Sequence, residues 1–160
     1  MKTGNNQRMA DRMLAEGFLS ADDHLTATRY VAIHGGRIEE ALLEIDAMSE
    51  AELLKWLSTA YGTRFVSTEK LYKAQIDPRI LALVPKKLAE MHQLIPVLYD
   101  DATKTLSVVT ADPDDPTALH DVKLASGVHN VSALLARPAA VAAAIQRGYH
   151  NDPSPFALLL

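Results

Sequence analysis

One pattern runs through the first sixty residues twice, and it constrains the fold more than any other feature of the chain. Arg8, Met9, Met13, Leu14, Gly17, Phe18, Leu19, Ser20 and Asp23 return as Arg37, Ile38, Leu42, Leu43, Asp46, Ala47, Met48, Ser49 and Glu52, each pair 29 residues apart. Each copy reads as a helix, a tight exit and a capped second helix. Such a helical hairpin buries its apolar stripe against its own repeat. Ile38, Ala41, Leu42 and Ile45 fall at i, i+3, i+4 and i+7, and Leu53, Leu57, Ala60 and Tyr61 continue the helical spacing. Ser49-x-x-Glu52 is a capping box, in which the hydroxyl takes an orphan helix amide and the carboxylate returns to the cap's own N–H. Ser20 and Asp23 form a weaker version, and Gly17 ends the helix before it. Arg8 and Arg37 occupy the same place in the two copies. A guanidinium can clamp a phosphate bidentately or stack on a base, so the pair offers a grip for a two-fold-symmetric anion.

Beyond Gly62 the pattern changes. Residues 63–77 read as a connector, with a short extended piece at Arg64-Phe65-Val66. Asp77-Pro78 and Pro85 each restart a helix, because Asp caps and Pro is preset for the first turn. Leu94 to Tyr99 and Thr105 to Thr110 are β-rich runs joined by a five-residue loop, an antiparallel hairpin. Asp115-Pro116 caps a helix that runs to Gly127; a strand over Asn130 to Ala136 and an Ala-rich helix over Pro138 to Tyr149 follow. The order α-β-β-α-β-α implies a three-stranded sheet with helices on one face, since the crossover from the second to the third strand must carry a helix if those strands are parallel. The expected class is α+β: a helical-hairpin repeat over 1–62, a connector over 63–77, a small α/β subdomain over 78–150 and a tail or linker over 151–160.

The composition removes several function classes. A net charge of −4 gives no global positive field for nucleic acid or anionic membranes, and the absence of Cys removes thiolate chemistry and fits a reducing compartment. No run approaches the length of a bilayer span, and the polar start lacks a secretory pattern, so the chain reads as cytoplasmic and not membrane-inserted. Neither G-x-x-x-x-G-K-[ST] nor G-x-G-x-x-G occurs, and Gly35-Gly36 enters a helix without a preceding strand. The six histidines, at 24, 34, 92, 120, 129 and 150, never pair at i+3 or i+4, so no metal site is expected. Asp112, Asp114 and Asp115 are interrupted by Pro113 and Pro116 and read as caps. Asp22, Asp23 and His24 match a triad by residue type only, Trp56 reads as packing, and Lys86, Lys87 and Lys104 read as a solvated face. No catalytic constellation is present, and the expectation is a protein that is not an enzyme.

A family resemblance runs from about Arg8 to His150. It is carried by Arg37 to Leu43, Met48 to Leu54, Tyr61-Gly62, Ile76-Asp77-Pro78, Leu83-Val84-Pro85, Ile95-Pro96-Val97, Leu106 to Val109 and Ala111-Asp112-Pro113. In order and spacing these resemble the N-terminal domain of the type II secretion and type IV pilus assembly ATPases, the GspE type, related to the MshE type. The resemblance implies a non-catalytic docking or regulatory domain that binds a protein partner of the secretion or pilus machinery and sits at the inner membrane only through it. A branch of the family binds cyclic di-GMP through two motifs resembling R-L-G-x-x-L-L-x-x-G. The resemblance implies, as the alternative function, a nucleotide site at Arg8, Met13, Leu14, Gly17, Arg37, Leu42 and Leu43, with cyclic di-GMP as ligand and no other cofactor. Ala10, Glu39 and Asp46 stand where that pattern has Gly, and Ala60 where it has Gln.

Overall fold

The computed structural model describes residues 3–160, so the first two residues of the expected helical region lie outside it. The elements run α1 (Thr3–Ala15), α2 (Ala21–His34), α3 (Ile38–Glu44), α4 (Glu50–Tyr61), α5 (Thr68–Lys73), α6 (Pro78–Leu81), α7 (Lys86–His92), β1 (Leu94–Asp100), β2 (Thr105–Thr110), α8 (Pro116–Ser126), β3 (Asn130–Leu135), α9 (Pro138–His150) and α10 (Ser154–Ala157). The chain is α+β and divides into two compact units, Met1–Leu53 and Leu54–Leu160. The division falls inside α4, whereas the sequence placed a boundary at residue 62. The exit of α4 is held within the second unit: the Ser58 hydroxyl donates to the Thr63 carbonyl, and the Thr63 hydroxyl donates to Ala133 O in β3 at 2.9 Å.

In the first unit Ala10, Met13, Leu19, Ala27, Ile38, Ala41 and Leu42 are buried, and Met13, Leu19, Ile38, Ala41 and Leu42 among them are apolar positions of the repeat or of the helical spacing. In the second unit the sheet order is β1-β2-β3, with β1 antiparallel and β3 parallel to β2. The register of the hairpin shifts between Pro96 and Leu98, a bulge at Val97 in the edge strand. Residues 63–77 are more than a connector. Phe65 bridges Leu135 in parallel, Val66 N–H donates to Leu135 O at 2.8 Å, Leu135 N–H donates to Arg64 O at 2.9 Å, and Ser67 caps α5.

The sheet carries helices on both faces, which corrects the one-sided arrangement expected from the element order. Successive strand residues point to opposite sides. Leu94, Leu106 and Val108 pack with Val84, Ala89, Ala118 and Val122 from the α7 and α8 side, while Ile95 and Val109 pack with Leu71, Ala140, Val141 and Phe156 from α5, α9 and α10. The tail therefore closes a core, since Phe156 in α10 is fully buried.

Small residues let α9 lie close to the sheet: Ala140, Ala143 and Ala144 are buried, and a Cβ at Gly148 would stand 3.3 Å from Ile95 Cδ1 and Leu81 Cδ2. Two polar side chains of α9 then fasten the irregular segments. The Arg147 guanidinium donates to the carbonyls of Tyr72, Leu71 and Ala74 at 2.6, 3.1 and 3.3 Å, closing the end of α5, and lies 4.5 Å from the Phe156 ring centroid. The Tyr149 hydroxyl is shared between Val84 O at 2.9 Å and Leu81 O at 3.2 Å, and burial pushes its pKa up to about 12. Replacing Arg147 by Met keeps the apolar stem and removes the donors; we expect a loss of about 1–2 kcal/mol in chemical denaturation. Gly148→Val overfills the α9–sheet contact and is expected to cost about 1–3 kcal/mol in the same measurement.

Candidate functional site

The repeat persists at the level of single hydrogen bonds. Phe18 N–H donates to Met13 O at 3.0 Å and Ala47 N–H to Leu42 O at 3.0 Å; Gly17 N–H donates to Leu14 O at 3.1 Å and Asp46 N–H to Leu43 O at 3.2 Å. Both exits turn through the left-handed region, with φ of 75° at Gly17 and 55° at Asp46. The second copy thus keeps the backbone geometry of glycine with an aspartate, a residue whose short polar side chain tolerates that region. Each second helix opens on its cap: Ser20 Oγ accepts from Asp23 N–H, and Ser49 Oγ accepts from Glu52 N–H, both at 3.1 Å. Glu52 completes the box by accepting from Ser49 N–H at 3.1 Å.

The residues singled out from the sequence fall into two groups. Met13 and Leu42 are fully buried and serve as packing on the shared stripe. Arg8, Leu14 and Gly17 are exposed, while Arg37 and Leu43 are half-buried. The two arginines differ in surroundings despite their equivalent positions. Arg37 is the N-cap residue of α3, and its Nη2 lies 2.6 Å from Glu39 Oε2, a carboxylate whose side chain is only 4% exposed. Glu39 is one of the three residues that stand where the pattern of the resemblance has Gly. Its charge offsets that of Arg37 where an anionic ligand would need the arginine, and the first unit carries five Lys and Arg against ten Asp and Glu.

Asn6 is the residue that the sequence did not reveal. It is buried, its Nδ2 donates to Gly36 O at 2.9 Å, and its Oδ1 accepts from Ile38 N–H at 3.0 Å. An α1 side chain therefore caps α3 across 32 residues and brackets Arg37 from both sides. No local signal announces such a cap, because its partners are distant in sequence. A second tie joins α1 to α2: His24 Nε2 lies 2.8 Å from Asp11 Oδ1, and the hydrogen bonds from His24 and then Gln7 hold the Asp11 carboxyl below the usual carboxylate range. His92 and His150 face Asp121 and Glu90 in the same way, and among the described residues no group of three His, Asp or Glu converges as a metal would need. No described helix is long and apolar enough to cross a membrane.

Asn6→Ala removes two buried hydrogen bonds, and we expect it to destabilise the first unit by about 1–3 kcal/mol, with faster amide exchange at the start of α3. The capping box predicts a pH dependence. The Ser49 N–H, then the Ser49 hydroxyl, holds the folded Glu52 pKa below its ordinary value. Its contribution is therefore complete above the unfolded pKa, about 4.3, and is lost as pH falls through the folded value. Glu52→Gln keeps an acceptor without the titration, so its melting temperature should fall less than that of the unchanged chain on acidification.

A family model described as MshEN domain matches residues 61–155. The type IV pilus assembly ATPase PilB of Myxococcus xanthus is 30% identical over 148 residues, which are 92% of this chain and 25% of that protein. The type IV pilus assembly ATPase PilB of Thermus thermophilus is 24% identical over 126 residues, 79% of this chain and 14% of that one. The chain thus spans a quarter or less of these curated relatives. Among solved structures, MshE with cdg superposes with a TM-score of 0.64 at 20% identity, covering 88% of this chain and 97% of that one. The N-terminal domain of XpsE superposes with a TM-score of 0.58 at 20% identity, covering 88% and 92%. The family match begins at the end of α4, so both arginine-bearing motifs precede it, and because it spans more than half of the sequence the chain belongs to the MshEN domain family.

Proposed function

We propose that this chain is a non-catalytic docking and regulatory domain that binds a protein component of a type IV pilus or type II secretion machine, acting in the cytoplasm and reaching the inner membrane through that component. The observation that carries this reading is the alignment of 92% of the chain with a quarter of a pilus assembly ATPase, in a stretch that contains no phosphate-cradling motif. One face of α2 supplies a surface for docking, with Leu25 48% and Ile33 76% exposed on it. Mixing the purified chain with the purified cytoplasmic parts of the pilus and secretion components encoded in the same genome tests it. A saturable complex with one component, weakened about tenfold by Ile33→Asp, is expected; no complex with any of them overturns the reading.

A second reading, cyclic di-GMP binding, is supported by the hydrogen-bonded fidelity of the two motif copies and by the similarity to MshE, whose structure is described with cdg. Arg8 and Arg37 would be its phosphate or base contacts. The Glu39 carboxylate opposes it, so calorimetric titration with cyclic di-GMP should show weak binding or none, and Glu39→Gly should strengthen it by about tenfold or more. Binding that is tight in the unchanged chain and abolished by Arg8→Ala with Arg37→Ala would make the nucleotide reading the primary one.

A further inference from the structure

On the α9 side of the sheet, the helix covers Ile95 and Val109 but not the whole face. The bulge at Val97 sets Leu98 opposite Ser107, on the same side as Val109, and Leu98 is left 64% exposed. Val66, which neighbours Phe65 on the extended segment beside β3, packs on the same side. Val66, Leu71 of α5, Leu98, Val109 and Leu134 line a cleft of about 390 Å³. Arg64 and Lys70 line it and no acidic residue does. Both cations are exposed, and among the described residues neither is paired with a carboxylate, whereas Lys73, one turn beyond Lys70, is held by Glu69 at 2.8 Å.

An apolar cleft bordered by unpaired cations is complementary to a molecule with an apolar body and an anionic head. The apolar part loses water against Val66, Leu98 and Leu134, and the head completes the charge balance of Arg64 and Lys70. The volume falls in the range of small-molecule sites, and a single recess of this size takes one ligand rather than the successive anchors of a helix. We propose that this cleft binds a small amphipathic anion, an aliphatic or aromatic carboxylate or a chemical equivalent. The site lies wholly in the second unit and is independent of the arginine motifs and of the α2 face.

Calorimetric titration of the intact chain with decanoate tests the proposal, with decanol as the neutral counterpart. Saturable one-to-one binding of decanoate, weakened by added salt and about tenfold weaker in Leu98→Asp and in Lys70→Glu, is expected, with decanol binding more weakly. Both substitutions fall on exposed side chains; if Leu98→Asp loses the native circular dichroism, Arg64→Glu combined with Lys70→Glu takes its place. Absence of saturable binding below the concentration at which decanoate self-associates, equal binding of decanol, or unchanged affinity in the variants would overturn the assignment. Binding of an acidic amphipathic peptide at the same residues without binding of decanoate would transfer the cleft to a protein segment and overturn it as well.

Discussion

β2 is the strand on which the second unit depends, because among the described strands it alone has a neighbouring strand along each edge, and its residues enter both cores. Its residues supply the hydrogen bonds for an antiparallel neighbour on one side and a parallel neighbour on the other, while Leu106 and Val108 seed one core and Val109 the other. A polar residue at any of these three positions would leave one layer without its anchor. The helices accommodate this narrow sheet in different ways. α8 brings Ala118 and Val122 to one face, whereas α9 uses alanines and Gly148 to approach the other closely enough for Arg147 and Tyr149 to reach carbonyls outside the sheet.

The first unit is organised by backbone economy. Two copies of a helix-and-exit unit repeat their hydrogen bonds, yet the side chains around the equivalent arginines have diverged. Glu39 replaces the small residue Ala10 at the equivalent buried position, and a carboxylate there is sustainable only with a cation beside it. Arg37 and Glu39 are therefore best understood as a pair whose members stabilise each other, set in place by Asn6. Arg8 has no counterpart to Glu39, since Ala10 occupies that position, and the two-fold symmetry of the sequence is not matched by symmetry of charge.

Much of this architecture was legible in the residues, for reasons of local chemistry. Ser49 and Glu52, Asp77-Pro78 and Asp115-Pro116 announce helix starts because their side chains satisfy amides a few residues away, and the helix between β2 and β3 is the crossover that their parallel pairing needs. What escaped was set by distance. Nothing near Asn6 indicates that it caps a helix 32 residues on, and nothing near Phe65 indicates that it pairs with Leu135. The second covered face of the sheet was missed because short α5 and α10 have little periodicity of their own and owe their place to α9. Residue type alone does not separate Glu39 from Asp46, and the geometry does: Asp46 keeps the left-handed turn, whereas the Glu39 carboxylate lies against the Arg37 guanidinium.

The edge strand β1 carries Pro96 beside the bulge at Val97. Proline removes an amide from the ladder that another chain would have to complete, and the bulge bends the strand away from the straight template that edge-to-edge pairing requires. This margin of the sheet is therefore protected against β-augmentation and against the growth of sheets from chain to chain. Recognition at this margin must be written in side chains rather than in shared backbone hydrogen bonds, which makes it alterable one residue at a time.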